Sequence, residues 1–173
     1  MSTELVILVD EGDRPVGEME KMEAHKKGLL HRAFSGFVFN RDRELLIQRR
    51  APCKYHNPGI WTNTACSHPR SGESVLAAVS RRVFEELGFR ADFEEAGSFI
   101  YRAEFENGLT EHELDHVCVA DYDGAPIVPD PDEADAVRWI SRPALEAEIA
   151  AEPGRFSYWM KEILRLGIID GRF

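Results

Sequence analysis

Gly72-Glu73-Ser74-Val75-Leu76-Ala77-Ala78-Val79-Ser80-Arg81-Arg82-Val83-Phe84-Glu85-Glu86-Leu87-Gly88-Phe89 is the stretch that decides the fold. Val75, Val79, Val83 and Leu87 recur every four residues, and Leu76 and Ala78 widen that stripe. The spacing predicts an amphipathic helix over Ser74 to Leu87. Ser71 or Ser74 can accept from the first free N–H groups, and Gly88 suits the left-handed residue after the last turn. Arg82 and Glu86 stand four apart and therefore meet on one helix face. Taken alone they read as a surface ion pair, worth about 0.3–0.5 kcal/mol.

Just upstream, Trp61-Thr62-Asn63-Thr64-Ala65-Cys66-Ser67-His68-Pro69 places a thiol two residues from an imidazole. In extended backbone, positions 66 and 68 project to the same side. By itself this is a small buried residue near a surface His. Six His occur: His25, His31, His56, His68, His112 and His116. Glu111 and Glu113 would share one face of a strand. Three imidazoles with two carboxylates form a mixed nitrogen and oxygen donor set suited to Mn²⁺, Mg²⁺, Zn²⁺ or Fe²⁺. The spacing of His25 and His31 does not match one helical turn, so the chain must bend between them.

Around these segments the pattern is mixed. Leu5–Val9 reads as a strand, residues 10–15 as a turn, and Glu20–Lys27 as a short helix stopped at Gly28. Ala33–Phe39 and Glu44–Gln48 read as a hairpin around residues 40–43. Strand-like runs follow at Ser98–Phe105, Leu114–Tyr122 and Ala136–Ile140, the last placing Arg138 and Trp139 in the sheet. Helical patterns close the chain at Arg142–Ala150 and around Ser157–Leu166. Strands interrupted by helices predict an α+β fold, with a sheet sandwiched by helices.

With 173 residues and 43% hydrophobic content, a single domain spanning 1–173 is expected. There is no apolar run of about 20 residues, and Met1-Ser2-Thr3-Glu4 opens no signal peptide. A soluble cytoplasmic protein is therefore the expectation, with no membrane partner. Three Cys without a Cys-x-x-Cys pair argue for reduced thiols. The net charge of −10 argues against nucleic-acid binding. That charge is uneven: residues 1–90 balance at +2 and residues 91–173 at −12. The cations of the first half cluster at Lys21, Arg49, Arg50, Lys54, Arg70, Arg81 and Arg82, which suits a small anionic ligand.

The helix resembles the Nudix box, with Glu73, Arg81, Val83, Glu85, Glu86, Gly88 and Phe89 in register. Ser67 stands where the box has Gly, and Arg82 where it has a Glu. In that family the replaced Glu belongs to the metal cluster that activates water on a diphosphate, so Arg82 weakens a hydrolase reading. Further segments, in family order, resemble a type I isopentenyl-diphosphate isomerase, which has the Nudix fold. They are Glu20-Lys21-x-x-Ala24-His25, Leu30-His31-Arg32-Ala33-Phe34-Ser35, Arg49-Arg50-Ala51, Trp61-Thr62-Asn63, Cys66-x-His68-Pro69, Gly72-Glu73-Ser74, Tyr101-Arg102-Ala103, Glu111-x-Glu113 and Phe156-Ser157-x-Trp159-Met160. They extend from about residue 3 to 165.

The resemblance implies a metal held by His25, His31, His68, Glu111 and Glu113, with Mn²⁺ the first expectation and Zn²⁺ or Mg²⁺ the alternatives. It implies a second cation, Mg²⁺, held by Glu86 and bridging to the diphosphate of an isoprenoid substrate. Lys21, Arg50, Lys54 and Arg82 match diphosphate-contacting positions, where fixed cations neutralise phosphate oxygens. Cys66 and Glu113 become the two proton carriers of a 1,3-allylic shift from isopentenyl to dimethylallyl diphosphate. Glu113, assisted by Tyr101, protonates the alkene, and Cys66 as thiolate takes the C2 proton. Trp159, with Trp61 as a second candidate, faces the tertiary carbocation. A monomer or homodimer is expected.

A Nudix hydrolase acting on nucleoside diphosphates and a non-catalytic Nudix-fold module are the rival readings. Cys53 reads as exposed and Cys118 as core. His56, His112 and His116 match no ligand position and read as surface or loop residues. Asn63 and Ser67 are candidates for positioning the substrate or the motif.

Overall fold

The computed structural model describes residues 4–54, 57–105 and 107–173, so His56 lies outside the described residues. Strand β3 (His31–Phe39) is the hub of a nine-stranded mixed sheet. Along its whole length it pairs in parallel with β8 (Thr110–Asp121), from His31 opposite Glu113 to Phe39 opposite Asp121. On its other edge β6 (Ala65–Ser67) pairs antiparallel, with Ser35 opposite Cys66. Strand β1 (Leu5–Val9) meets β3 at His31, and β4 (Leu45–Arg50) meets it at Phe39. Strands β5 (Trp61–Thr62) and β9 (Ala134–Ile140) flank β4, and β7 (Glu94–Glu104) flanks β8.

The β3 sequence HRAFSGFVF is buried throughout except for half-buried Arg32, as a central strand covered on both faces must be. On one face lies α2 (Val75–Leu87), whose Ala78, Val79, Val83 and Leu87 pack against Phe34, Val38 and Leu46. On the other lie α3 (Arg142–Ala151) and α4 (Tyr158–Leu166), where Leu145, Met160 and Ile163 meet Phe37, Phe39, Ile47, Val117 and Val119. The expected α+β architecture with a mixed sheet and helices is the one observed. Helix α2 starts at the Ser74 cap, whose hydroxyl accepts from Ala77 N, and ends at left-handed Gly88 (φ 78°).

Three local features differ from the sequence reading. Pro15–Glu20 forms a strand, β2, which the sequence did not signal because it is an edge paired only with β1 and has little apolar alternation. The hairpin expected around residues 40–43 is paired only at Phe39 and Leu45. Beyond that tip the two strands diverge, β3 to β8 and β6, β4 to β9 and β5. Strand β8 begins at Thr110, before the expected Leu114, so Glu111 and Glu113 share a strand face, as their spacing suggested, within the same strand.

Gly36 sets how closely α2 approaches the sheet: a Cβ there would lie 2.6 Å from Val79 Cγ2. Overpacking of a filled core costs about 1–3 kcal/mol. Gly36→Val is therefore expected to lower the urea unfolding midpoint by that energy divided by m, with m itself unchanged. An unaltered midpoint would show that this contact does not limit the packing.

Candidate active site

Helix α1 (Lys21–Lys27) is short and depends on its ends. The Glu20 carboxylate accepts from Met22 N and Glu23 N, and Gly28 closes the helix at φ 60°. A Cβ on Gly28 would meet the Arg102 guanidinium at 2.9 Å. The Gly28 carbonyl accepts from Arg102 Nη1 at 3.2 Å and lies 3.0 Å from His112 Nδ1. His112 is therefore a strand residue that ties β8 to the α1 turn, not the surface or loop residue expected. This turn supplies the bend between His25 on α1 and His31 on β3.

Odd-numbered residues of β3 and β8 share one sheet face, and β6 adds Cys66 with His68 just beyond it. Nε2 of His25, His31 and His68 lies 3.7, 3.4 and 3.1 Å from Glu113 Oε1. One donor atom from each of these four buried residues falls within 4.8 Å of all the others. His31 Nδ1 lies 2.8 Å from the Leu29 carbonyl and, as donor to it, turns Nε2 to the cluster. The Nε2 atoms of His25 and His31 are buried without a hydrogen-bond partner. Converging imidazole nitrogens beside a carboxylate fit a divalent metal. Glu111 stands apart from this four-atom group, with its Oε2 3.0 Å from the Tyr101 hydroxyl. Tyr101 donates at 2.7 Å to Glu113 Oε2.

These residues border a cavity of about 210 Å³ that is also lined by Lys21, Ser35, Arg50, Lys54, Cys66, Arg82, Glu86, Glu133 and Trp159. The predicted catalytic, metal-ligating and diphosphate-binding residues meet there, except that His31 stands behind the wall. Trp61 is outside it, with the Arg138 guanidinium 4.5 Å from its ring centre. His116 is buried on β8, its two nitrogens 2.7 Å from Glu95 Oε1 and 3.1 Å from Asp13 Oδ2. It is an internal tie rather than a surface residue. Cys53 is exposed and Cys118 buried, as expected.

The cationic wall carries its own counter-charges. Lys54 bonds Glu133. Arg82 reaches Glu86 at 2.7 Å and Glu133 at 3.1 Å, and Lys21 reaches Glu4 at 3.1 Å. Gln48 donates to Glu86 Oε2 at 2.6 Å and to the Thr64 carbonyl at 2.8 Å. Gln48, Glu133 and Glu4 were not anticipated, because each lies far in sequence from its partner. Glu73 folds back to bond Arg81 at 2.7 and 2.9 Å and so secures the start of α2.

Burial dominates the proton affinities. It pushes the Cys66 thiol up to about 12, opposed by Arg50 and reinforced by Glu86, Glu111 and Glu113. It pushes His68 down to about 4 despite Glu113. Desolvation lowers His31, but the nearby Glu113 carboxylate and the Leu29 carbonyl outweigh it and leave it raised. Burial also raises Tyr101 well above its ordinary value, so the phenol keeps its proton. Burial alone would raise Glu113, but the His25, His31 and His68 imidazoles gathered around it hold it well below the usual carboxylate range.

Metal ligation needs neutral imidazoles. His68 is already neutral at pH 7, whereas His31 binds a proton more readily than a free His. Affinity of EDTA-stripped protein for Mn²⁺ or Zn²⁺ is therefore expected to fall as pH drops through the raised His31 value. His68→Gln should weaken binding at least about tenfold. Calorimetric titration at several pH values checks both, and pH-independent binding would contradict the assignment.

Comparison with known proteins agrees with this geometry. The NUDIX domain model matches residues 29–160. The chain is 46% identical to "Isopentenyl-diphosphate Delta-isomerase 2" of Aromatoleum aromaticum over 92% of this chain and 84% of that protein. It is 50% identical to "Isopentenyl-diphosphate Delta-isomerase" of Burkholderia multivorans over 90% of this chain and 88% of the relative. A crystal structure from Deinococcus radiodurans superposes with a TM-score of 0.75 at 23% identity, covering 94% of this chain and 98% of that one, a likeness of fold. The chain belongs to the isopentenyl-diphosphate Delta-isomerase family of NUDIX-domain proteins.

Proposed function

We propose that the cavity converts isopentenyl diphosphate to dimethylallyl diphosphate by moving a proton across the five-carbon unit. The observation that carries this reading is the pairing of the half-buried Cys66 thiol with a carboxylate–phenol pair in one cavity that is also lined by Lys21, Arg50, Lys54 and Arg82. Lys21, Arg50, Lys54 and Arg82 hold the diphosphate, which replaces carboxylates such as Glu133 as their partner. His25, His31, His68 and Glu113 would hold one divalent metal, and Glu111 beside them would complete the set. Glu86 holds a second. Mn²⁺ is proposed for the first and Mg²⁺ for the second. Bound dications supply positive charge that neutralises the diphosphate and lowers the proton affinity of nearby groups.

In the forward direction a proton passes from the Tyr101–Glu113 pair to the terminal alkene carbon. The two π electrons form the new C–H bond, and the tertiary carbon becomes the cation. Loss of the C2 proton to Cys66 then returns an electron pair to the new double bond. At rest the thiol is protonated and Glu113 ionised, so the forward direction needs one proton moved from Cys66 to Glu113 in the loaded cavity. In reverse, the resting thiol is already the donor. Trp159, 5% exposed and facing the cavity, offers an aromatic face to the cation.

A hydrolase reading fits less well. Glu85 is engaged by Arg81 and Arg82, and Glu73 by Arg81. Arg82 itself stands where the box has a carboxylate, which leaves Glu86 without the acidic neighbour that a hydrolytic metal cluster needs. Among the described residues no helix is long and apolar enough to cross a membrane.

Incubation with isopentenyl diphosphate and Mg²⁺ is expected to yield the dimethylallyl isomer. Cys66→Ala and Glu113→Gln should each lower kcat by about 10²–10⁴-fold, while Arg82→Ala acts mainly on KM. Undiminished turnover in Cys66→Ala would sink the two-carrier mechanism. Phosphate release from nucleoside diphosphates without isomerisation would favour the hydrolase.

A further inference from the structure

We infer that Asn63 is the residue that positions the Trp159 indole in the cavity, an inference that rests on the carbocation reading above. Asn63 is fully buried and its side chain makes all four hydrogen bonds open to an amide. Nδ2 donates to the Gly36 carbonyl at 3.0 Å and the Ala65 carbonyl at 2.8 Å. Oδ1 accepts from Trp159 Nε1 at 2.9 Å and from Thr62 Oγ1 at 2.9 Å.

The amide has one workable orientation. Two carbonyls demand donors on one side, and an indole N–H demands an acceptor on the other. A flipped Asn63 would set donor against donor and acceptor against acceptor, all in a buried site where unmade bonds are costly. The indole can therefore turn only by breaking a bond whose far end is fixed on β3 and β6.

The helix bearing the indole is tied to the same place. The Thr62 and Ser157 hydroxyls lie 2.9 Å apart, and Ser157 N donates to the Trp61 carbonyl at 2.9 Å. Ser157 is the residue that precedes α4. The Ala65 carbonyl held by Asn63 belongs to the peptide that leads into Cys66. One amide thus links the backbone before the thiol to the aromatic wall. Cation–π attraction depends on presenting the ring face to the charge, so losing this bond weakens stabilisation of the cation without touching the diphosphate contacts.

The test uses two probes: a saturated neutral five-carbon diphosphate, and the same chain with a protonated tertiary amine at the branching position. Both are titrated calorimetrically with Mg²⁺ against wild type, Asn63→Ala, Trp159→Phe and the double variant, and kcat is measured for each. Wild type should bind the ammonium probe more tightly. Each single variant should lose that preference and on the order of tenfold in kcat, with the neutral probe bound as before. The double variant should be no worse than the poorer single, because both remove one interaction.

Additive losses in kcat, or a preference retained in Asn63→Ala, would overturn the inference. No ammonium preference in wild type would instead overturn the carbocation reading beneath it. Independently of any variant's folding, the Trp159 indole N–H should exchange slowly with solvent in the wild-type ¹H–¹⁵N spectrum. Exchange as fast as that of an exposed indole would refute the anchor.

Discussion

The Glu113 carboxylate, buried beneath the imidazoles of His25, His31 and His68, is the constraint that the rest of the structure serves. Removing a carboxylate from water costs several kcal/mol unless charge and hydrogen bonds replace the solvent. Here the replacement comes from three separate elements: α1, β3 and the segment after β6. The glycine-closed turn at Gly28 brings α1 back over the sheet, and the parallel pairing of β3 with β8 sets His31 opposite Glu113. A cluster with unpartnered nitrogens gathered on one oxygen is poised for a cation. That is why an assembly so costly to bury is sensible in a binding cavity and poorly suited to a plain core.

The cationic part of the lining follows the same logic with the signs reversed. Arg82 brings a permanent cation to a buried site, and Glu86 and Glu133 accept it. Burial lowers the proton affinity of that guanidinium, and the two carboxylates more than restore it. An anionic ligand entering here exchanges one set of carboxylate partners for another set of oxygens. The cavity lining therefore combines a cation-seeking cluster with an anion-seeking set of Lys and Arg, and it also includes Cys66 and Trp159. Such polarity suits a short apolar unit bearing a diphosphate at one end.

Much of this was legible in the sequence because it rests on local chemistry. The four-residue period of Val75 to Leu87 predicted α2 nearly to the residue, and the Cys66 and His68 alternation required only that the segment be extended. The strand pairings were not legible, because they are chosen by tertiary packing. Nothing in PVGEME announces β2, and nothing near residue 40 says that β3 and β4 part after one pair. The support groups of the site escaped for the same reason. Gln48 meets Glu86 across 38 residues, and Asn63 meets Trp159 across 96. His116 and His112 read as surface residues because a lone His carries no sign of the carbonyl or carboxylate that will bury it.

The central claim is that two groups on different elements carry the proton, one giving and the other taking. Turnover of isopentenyl diphosphate in D₂O, followed by NMR of the product, addresses it directly. Two separate carriers exchange with solvent between turnovers, so the new methyl group should contain deuterium and the C2 hydrogen should be lost to the medium. A product whose new methyl group retains the original C2 hydrogen would mean that one group shuttles the proton across a single face, and would contradict the account.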